Sequence, residues 1–101
     1  MRITYGVVWR EGDGPLARGR LELLPRAVRL DGVAGSIPVA REIPYDELEA
    51  VRVGRSGPDR LNGHPSLVLE PRHGEPIVVA AVAQAGVVAE LTERLAKLTL
   101  A

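Results

Sequence analysis

The C-terminal part of the sequence limits the fold most, because it is one amphipathic helix that needs an apolar surface to cover. Between Gln84 and Leu98 the apolar residues recur at spacings of three and four. They are Val87, Val88, Leu91, Leu95 and Leu98. Before Val82, by contrast, the chain is a series of short β-branched segments separated by turn residues. The sequence therefore predicts a mainly β domain, a barrel of antiparallel strands with this helix capping one end.

Length and composition restrict the domain organisation. The chain has 101 residues, which suffices for one hydrophobic core and is too short for two. We therefore expect a single domain over residues 1–101, with its strands within residues 3–82 and its helix over residues 84–98. Hydrophobic residues make up 46% of the chain but aromatic residues only 3%. This composition predicts an aliphatic core and disfavours a ligand site built from stacked aromatic rings.

Charge and cysteine content argue against several classes of function. Thirteen basic residues balance thirteen acidic ones, so the long-range field that attracts nucleic acid is missing and we expect no nucleic-acid partner. The absence of cysteine excludes disulfides, thiolate zinc sites and a cysteine nucleophile. His64 and His73 lie in different predicted turns, with no acidic partner close in sequence. We therefore expect no catalytic residues, no metal and no cofactor.

The N-terminal segment does not resemble a signal peptide. Residues Met1 to Trp9 lack the apolar run and the small-residue cleavage pattern of a signal peptide. No segment approaches the roughly 18 apolar residues of a membrane-spanning helix. The sequence is interpreted as that of a cytoplasmic protein.

Turn residues divide the first part of the chain into about seven strands. The predicted strands are Ile3 to Trp9, Ala17 to Leu24, a third around Val28 and Leu30, Ile37 to Ile43, Leu48 to Val53, Ser66 to Glu70 and Pro76 to Val82. The third strand is predicted to stop at Asp31-Gly32, and residues 54–63 form the longest unstructured stretch. The last two strands are predicted to form a hairpin.

Alternation predicts which faces of the strands are buried. Leu21 and Leu23 point to one side of the second strand, whereas Arg18, Arg20 and Glu22 point to the solvent. In the fourth strand, Arg41 shares the side of Val39 and Ile43 unless a bulge shifts the register.

The fourth strand is also predicted to lie near an edge of the sheet. Pro38 and Pro44 bracket it, and Arg41 interrupts its apolar side. Natural sheets use such residues to protect an edge strand from unwanted pairing.

Two runs of the sequence carry a resemblance to a known family. They are Gly19 to Gly32, GRLELLPRAVRLDG, and Glu42 to Val53, EIPYDELEAVRV. Their pattern of apolar alternation and turn residues resembles that of pleckstrin-homology-like (PH-like) domains, and in particular of bacterial and GRAM-type members. The resemblance implies two bent antiparallel sheets with seven strands in all, closed by a C-terminal helix.

The resemblance also suggests a candidate binding site. In phosphoinositide-binding members, basic residues at the end of the first strand and in the second strand hold the headgroup phosphates. Arg10, Arg18 and Arg20 occupy similar places here. Glu11 and Asp13 lie between them and would repel a polyphosphate, so the alternative is that these arginines form the solvated face of a strand.

Two functions follow from the resemblance. The first is a non-catalytic interaction module of unknown biological role, a monomer or homodimer, which binds a protein or peptide in a groove between the helix and a sheet edge. The second is peripheral binding to the membrane, or to another anionic ligand, through the Arg10, Arg18 and Arg20 patch, with weak affinity for anionic lipid.

Overall fold

A computed structural model of the chain describes residues 3–54, 60–61, 64–81 and 87–99. The first four strands are β1 (Ile3–Glu11), β2 (Ala17–Leu23), β3 (Ala27–Ala34) and β4 (Ile37–Pro44). A 3-10 turn, Tyr45–Glu47, leads into β5 (Leu48–Gly54), and the remaining elements are β6 (Arg60–Leu61), β7 (His64–Pro71), β8 (Ile77–Ala81) and α1 (Val87–Thr99).

Seven of the strands form one continuous antiparallel path that curls into a half-barrel. Its order is β4-β3-β2-β1-β8-β7-β5, and the two-residue β6 pairs with the start of β7. The predicted mainly β fold with a C-terminal helix is confirmed, as is the hairpin, in which Leu67 pairs with Val79 and Leu69 with Ile77. The position of β4 at one end of the path confirms that it is an edge strand.

The core lies on the concave side of the half-barrel and is aliphatic, as the composition predicts. Leu21, Leu30, Leu69 and Val79 are fully or almost fully buried there. Two aromatic side chains are buried with them, Trp9, which is 4% exposed, and Tyr45, which is 8% exposed. The seven strands of the path contribute residues to this face mostly at alternate positions, because side chains of a β-strand point to opposite sides of the sheet.

The helix α1 packs on the concave side against β5, β7 and β8. Leu91 and Leu95 are buried in the main core, whereas Glu93 is exposed. The predicted helix began at Gln84, but residues 84–86 lie outside the described residues, as do the side chains of Val87, Val88 and Leu98. No helix within the described ranges is long and apolar enough to cross a membrane.

The third strand is longer than predicted. Asp31 and Gly32 do not end it; they pair with Arg20 and Gly19 on β2, and the chain turns only at Gly35-Ser36. Gly32 has φ +156° and faces Gly19 so closely that a Cβ on Gly19 would overlap the carbonyl oxygen of Asp31. The Asp-Gly pair, read from the sequence as a turn signal, therefore marks a close approach between two strands.

Three further predictions, about one segment and two single residues, can be compared with the structure. Residues 54–63 are not wholly unstructured, because Arg60–Leu61 forms β6; residues 55–59 and 62–63 lie outside the described residues. Glu22 points away from the core as predicted, but it is buried, so that face of β2 is not exposed to solvent along its whole length. No bulge interrupts β4, and Arg41 does share the face of Val39 and Ile43.

Candidate functional site

Three connections come together at one end of the half-barrel. They are the β1–β2 loop, the β3–β4 turn and the β7–β8 turn. They lie at the same end because β1 pairs antiparallel with both β2 and β8, and β2 also pairs antiparallel with β3. The N–H of Gly12 donates a hydrogen bond to the carbonyl oxygen of Pro76 at 2.9 Å, and this bond ties the first connection to the third.

This end of the sheet also carries exposed apolar side chains. Leu16, Val33 and Ile37 are 40%, 44% and 67% exposed. The register places Val33 next to Arg18 and opposite Pro38, and Ile37 opposite Ala34, beside the β3–β4 turn. The register puts Val33 on the convex face with Arg18 and Ile37 on the opposite face with Ala34, so these residues share an end of the sheet and not one continuous patch.

A cavity of about 480 Å³ opens between the middle of β4 and the end of β1. Its lining combines apolar and charged residues: Trp9, Glu11, Gly14, Pro15, Ala17, Val39, Ala40, Arg41 and Glu75. Most of the lining comes from residues on the concave side of β1, β2 and β4, and Glu75 contributes from the β7–β8 turn.

The charges in the cavity are not balanced. Nε of Arg41 lies 2.9 Å from Oε1 of Glu11, and this ion pair connects β4 with the end of β1. That N–H does not point at the carboxylate, so the contact is an ion pair without a directional hydrogen bond from Nε. Among the described residues, Glu75 has no cationic partner. The cavity therefore holds two carboxylates and one guanidinium.

The position of Glu75 is set by its neighbours. A Cβ built on Gly12 would lie 3.0 Å from Cβ and Cγ of Glu75, so the glutamate stem packs against the glycine backbone. Gly12 itself has φ +56°, which a glycine adopts without strain. The β1–β2 turn thus holds Glu75 beside the cavity.

No described strand pairs with the outer edge of β4, which leaves a row of backbone groups directed out of the sheet. The N–H of Tyr45 bonds to the carbonyl oxygen of Arg26, and bonded pairs alternate along an antiparallel ladder. The register has no shift, so the odd-numbered residues of β4 bond to β3. The even-numbered residues, which direct their N–H and C=O groups to the free edge, are Pro38, Ala40, Glu42 and Pro44. Only Ala40 and Glu42 have an N–H to donate there.

The three predicted arginines lie on the convex side of the sheet, away from this cavity. Arg10 is in β1, and Arg18 and Arg20 are in β2, where Arg18 pairs with Val8 beside Arg10. Nε of Arg20 donates to Oδ1 of Asp31 at 3.3 Å. Nε of Arg10 is buried and has no hydrogen-bond partner among the described residues. The arginines share one face, and the ligand-binding role that the sequence suggested for them stays a prediction.

The remaining titratable groups do not form a site within the described residues. His73 is exposed in the β7–β8 turn, and the side chain of His64 lies outside the described residues. No three His, Asp or Glu side chains of the described part of the chain are grouped to hold a metal ion.

Two tyrosines have perturbed pKa values. Burial raises the pKa of Tyr45, whose hydroxyl donates to the carbonyl oxygen of Leu24 at 2.6 Å. Burial also raises the pKa of Tyr5, with the nearby carboxylate of Glu90 as a second cause. Both groups are neutral at physiological pH, and the hydrogen bond of Tyr45 joins the 3-10 turn to the end of β2.

Sequence reasoning missed the cavity and the role of Glu75. The spacing of Pro38 and Pro44 places both on the same side of β4, which is a signal that this side is not bonded in the sheet. No local signal connects Glu75 with Trp9 and Ala40, because these residues are far apart in sequence and the fold brings them together.

Comparison with known proteins supports the fold. No protein-family model matches the chain, and no curated protein is similar to it in sequence. Solved structures with a similar fold include the following two. The C-terminal domain of an unknown protein from Leishmania infantum has a TM-score of 0.71 at 16% identity, covering 98% of this chain and 83% of that one. The Vps36 N-terminal PH domain has a TM-score of 0.67 at 19% identity, covering 97% of this chain and 79% of that one.

These similarities agree with the resemblance in the Gly19 to Gly32 and Glu42 to Val53 runs. They extend over nearly the whole chain, from β1 to α1. The chain therefore has a pleckstrin-homology-like fold.

Proposed function

We propose that this domain is a non-catalytic interaction module that binds a partner protein through an extended segment of the partner. The observation that carries the proposal is the edge of β4, where Ala40 and Glu42 direct backbone groups out of the sheet. An extended segment that pairs with such an edge gains main-chain hydrogen bonds, and the pockets beside the edge select its side chains.

Two features of the surface support this function. The exposed Leu16, Val33 and Ile37 lie at the same end of the sheet, and their burial by a partner adds favourable free energy. The fold itself supports an interaction module, since similar solved structures include a PH domain. Fold similarity is the weaker support, because one fold can serve many functions.

The other end of the sheet path offers a second edge. β5 is the last strand in the order, and α1 packs beside it. The groove between α1 and this edge of β5 corresponds to the binding site that the resemblance suggested. The cavity favours β4 over β5, because a strand added to β4 has a defined pocket for one of its side chains.

Selection from a random displayed-peptide library tests the proposal. Selected peptides should bind the domain saturably and should slow deuterium exchange at the amides of an edge strand. The amides of the β7–β8 hairpin, already bonded on both sides, serve as the internal control. Failure to select any saturable binder, or protection at neither edge strand, would contradict the proposed function.

One observation favours a second function, the binding of an anionic ligand on the convex face. Nε of Arg10 is buried with no hydrogen-bond partner in the described part of the chain, and Arg18 lies beside it. Against this function, the carboxylate of Asp31 already pairs with Arg20. Vesicles containing phosphatidylserine, at low salt, test it. If it is correct, replacing Arg10, Arg18 and Arg20 with Ala abolishes binding.

A matched control removes the same charge from other surfaces. Replacing Arg26, Arg94 and Lys97 with Ala also removes three positive charges but leaves the convex face intact. Equal loss of vesicle binding in the two triple variants would show that the attraction is non-specific.

A further inference from the structure

We propose that the partner segment pairs with the outer edge of β4 and inserts a lysine or arginine side chain into the cavity between Trp9, Glu11 and Glu75. The proposal rests on the proposed function and specifies which edge is used and which chemistry is recognised. The occupant is therefore an extended, basic segment of another protein.

The first step of the argument is that the cavity and the free edge are one site. Ala40 directs its N–H and C=O to the free edge, and it also lines the cavity. Val39 and Arg41, its neighbours in the chain, line the same cavity from the concave side. A strand paired with β4 places alternate side chains on that concave side, so one of them enters the cavity.

The second step concerns charge. Arg41 pairs with Glu11, which leaves Glu75 as the carboxylate without a cationic partner among the described residues. A cationic side chain would balance this charge, whereas an acidic one would be repelled. Glu75 itself is exposed, so this discrimination rests on charge complementarity and not on burial of the carboxylate.

The third step concerns the shape of the occupant. The cavity of about 480 Å³ has apolar walls at Trp9, Pro15, Ala17 and Val39. Lysine and arginine combine a long aliphatic stem with a charged end group, so the stem can lie along apolar walls while the head reaches a carboxylate. A short polar side chain would fill neither part of the cavity.

The test uses four synthetic peptides of about seven residues, each alternating threonine and valine, with Lys, Arg, Gln or Glu at the centre. Trp9 is the single tryptophan of the chain and lines the cavity, so its fluorescence reports occupancy directly. We expect the Lys and Arg peptides to bind about two- to fivefold more tightly than the Gln peptide, with the Glu peptide weakest.

Two substitutions separate the contribution of the cavity from that of the edge. Glu75→Gln should reduce affinity for the Lys and Arg peptides about two- to fivefold and leave affinity for the Gln peptide unchanged. Ala40→Pro removes the central outward N–H without removing a bond to β3, so the sheet is retained and binding of all four peptides is lost. Because Glu75 is exposed, Glu75→Gln tests the proposal even where Ala40→Pro fails to fold.

The outcomes distinguish this proposal from the function on which it rests. Binding that protects β5 rather than β4 from deuterium exchange would overturn the inference and leave the interaction function standing. Equal affinity for the Lys, Gln and Glu peptides would overturn the predicted chemistry in the same way. If no extended peptide from the four or from a displayed library binds, both the inference and the proposed function are wrong.

Discussion

The indole N–H of Trp9 on β1 donates a hydrogen bond to the backbone carbonyl oxygen of Asp31 on β3, at 3.2 Å, across the full width of β2. The residue opposite Trp9 on β2 is Ala17, and the next residue of β2 on that face is Gly19. Small side chains on the intervening strand let the indole extend over the sheet. The same contact fixes one wall of the cavity beside β4.

Replacement of Trp9 by phenylalanine should destabilise the domain. The change leaves the carbonyl of Asp31 without this donor and creates a gap in the core, which together cost about 1 to 3 kcal/mol in the free energy of unfolding. Urea denaturation followed by circular dichroism measures this value. Arg20→Gln is the control, since it breaks only the exposed contact to the side chain of Asp31 and should cost less than about 1 kcal/mol. Equal effects of the two changes would contradict the role of the indole.

Replacement of Gly19 by alanine should prevent normal pairing of β2 with β3. A Cβ at Gly19 would overlap the carbonyl oxygen of Asp31 and the Cα of Gly32, both of which are backbone atoms that cannot rotate away. We expect a loss of more than about 3 kcal/mol or complete unfolding. Gly6→Ala on β1 is a matched control, because a Cβ there meets nothing within 4 Å. The melting temperatures of the two variants should differ widely. Similar melting temperatures would contradict the close approach of Gly19 to the backbone of Asp31 and Gly32.

Truncation of the helix side chains tests the contribution of α1 to stability. Leu95 is fully buried and Leu91 is 2% exposed. Either residue replaced by alanine should lower the free energy of unfolding by about 2 to 5 kcal/mol, a large share of the stability of a small domain. Glu93→Ala, on the exposed side of the same helix, should change it by less than about 0.5 kcal/mol. A melting temperature of Leu95→Ala close to that of the parent would contradict the packing of α1 on the core.

Stability should fall at alkaline pH through ionisation of the buried Tyr45. The unfolded chain ionises Tyr45 near its ordinary pKa of 10.0, whereas burial raises the pKa in the folded state. The folded state therefore keeps its full stability below this pH and loses it as the pH rises toward the higher folded pKa.

Tyr45→Phe gives the corresponding measurement. The variant loses the hydrogen bond to Leu24 and should be about 1 kcal/mol less stable at neutral pH. Its urea midpoint should decline less steeply than that of the parent between about pH 9 and 11, because one ionisable group has been removed. A parallel decline in both proteins would assign the alkaline loss to other groups, such as Tyr5.

Local patterns determined most of the secondary structure. Alternation in β2 and the three-and-four spacing around Leu91 and Leu95 predicted their buried faces, because burial of apolar area is the dominant favourable term in folding. Pro38 and Pro44 predicted the edge position of β4, since proline cannot donate to a ladder. The predicted end of the third strand at Asp31-Gly32 was wrong. Glycine occurs both in turns and where two strands approach closely, and the local sequence does not distinguish the two.

The cavity was decided by tertiary structure. Trp9, Ala40 and Glu75 lie on different elements, and only the curl of the sheet and the Gly12 to Pro76 hydrogen bond bring them together. The charge imbalance likewise depends on the pairing of Arg41 with Glu11 across the half-barrel. The sequence by itself determined the strands, the helix and their buried faces, because these follow from contacts between near neighbours. Which charged groups share a cavity depends on distances between remote residues, and those are set only when the half-barrel closes.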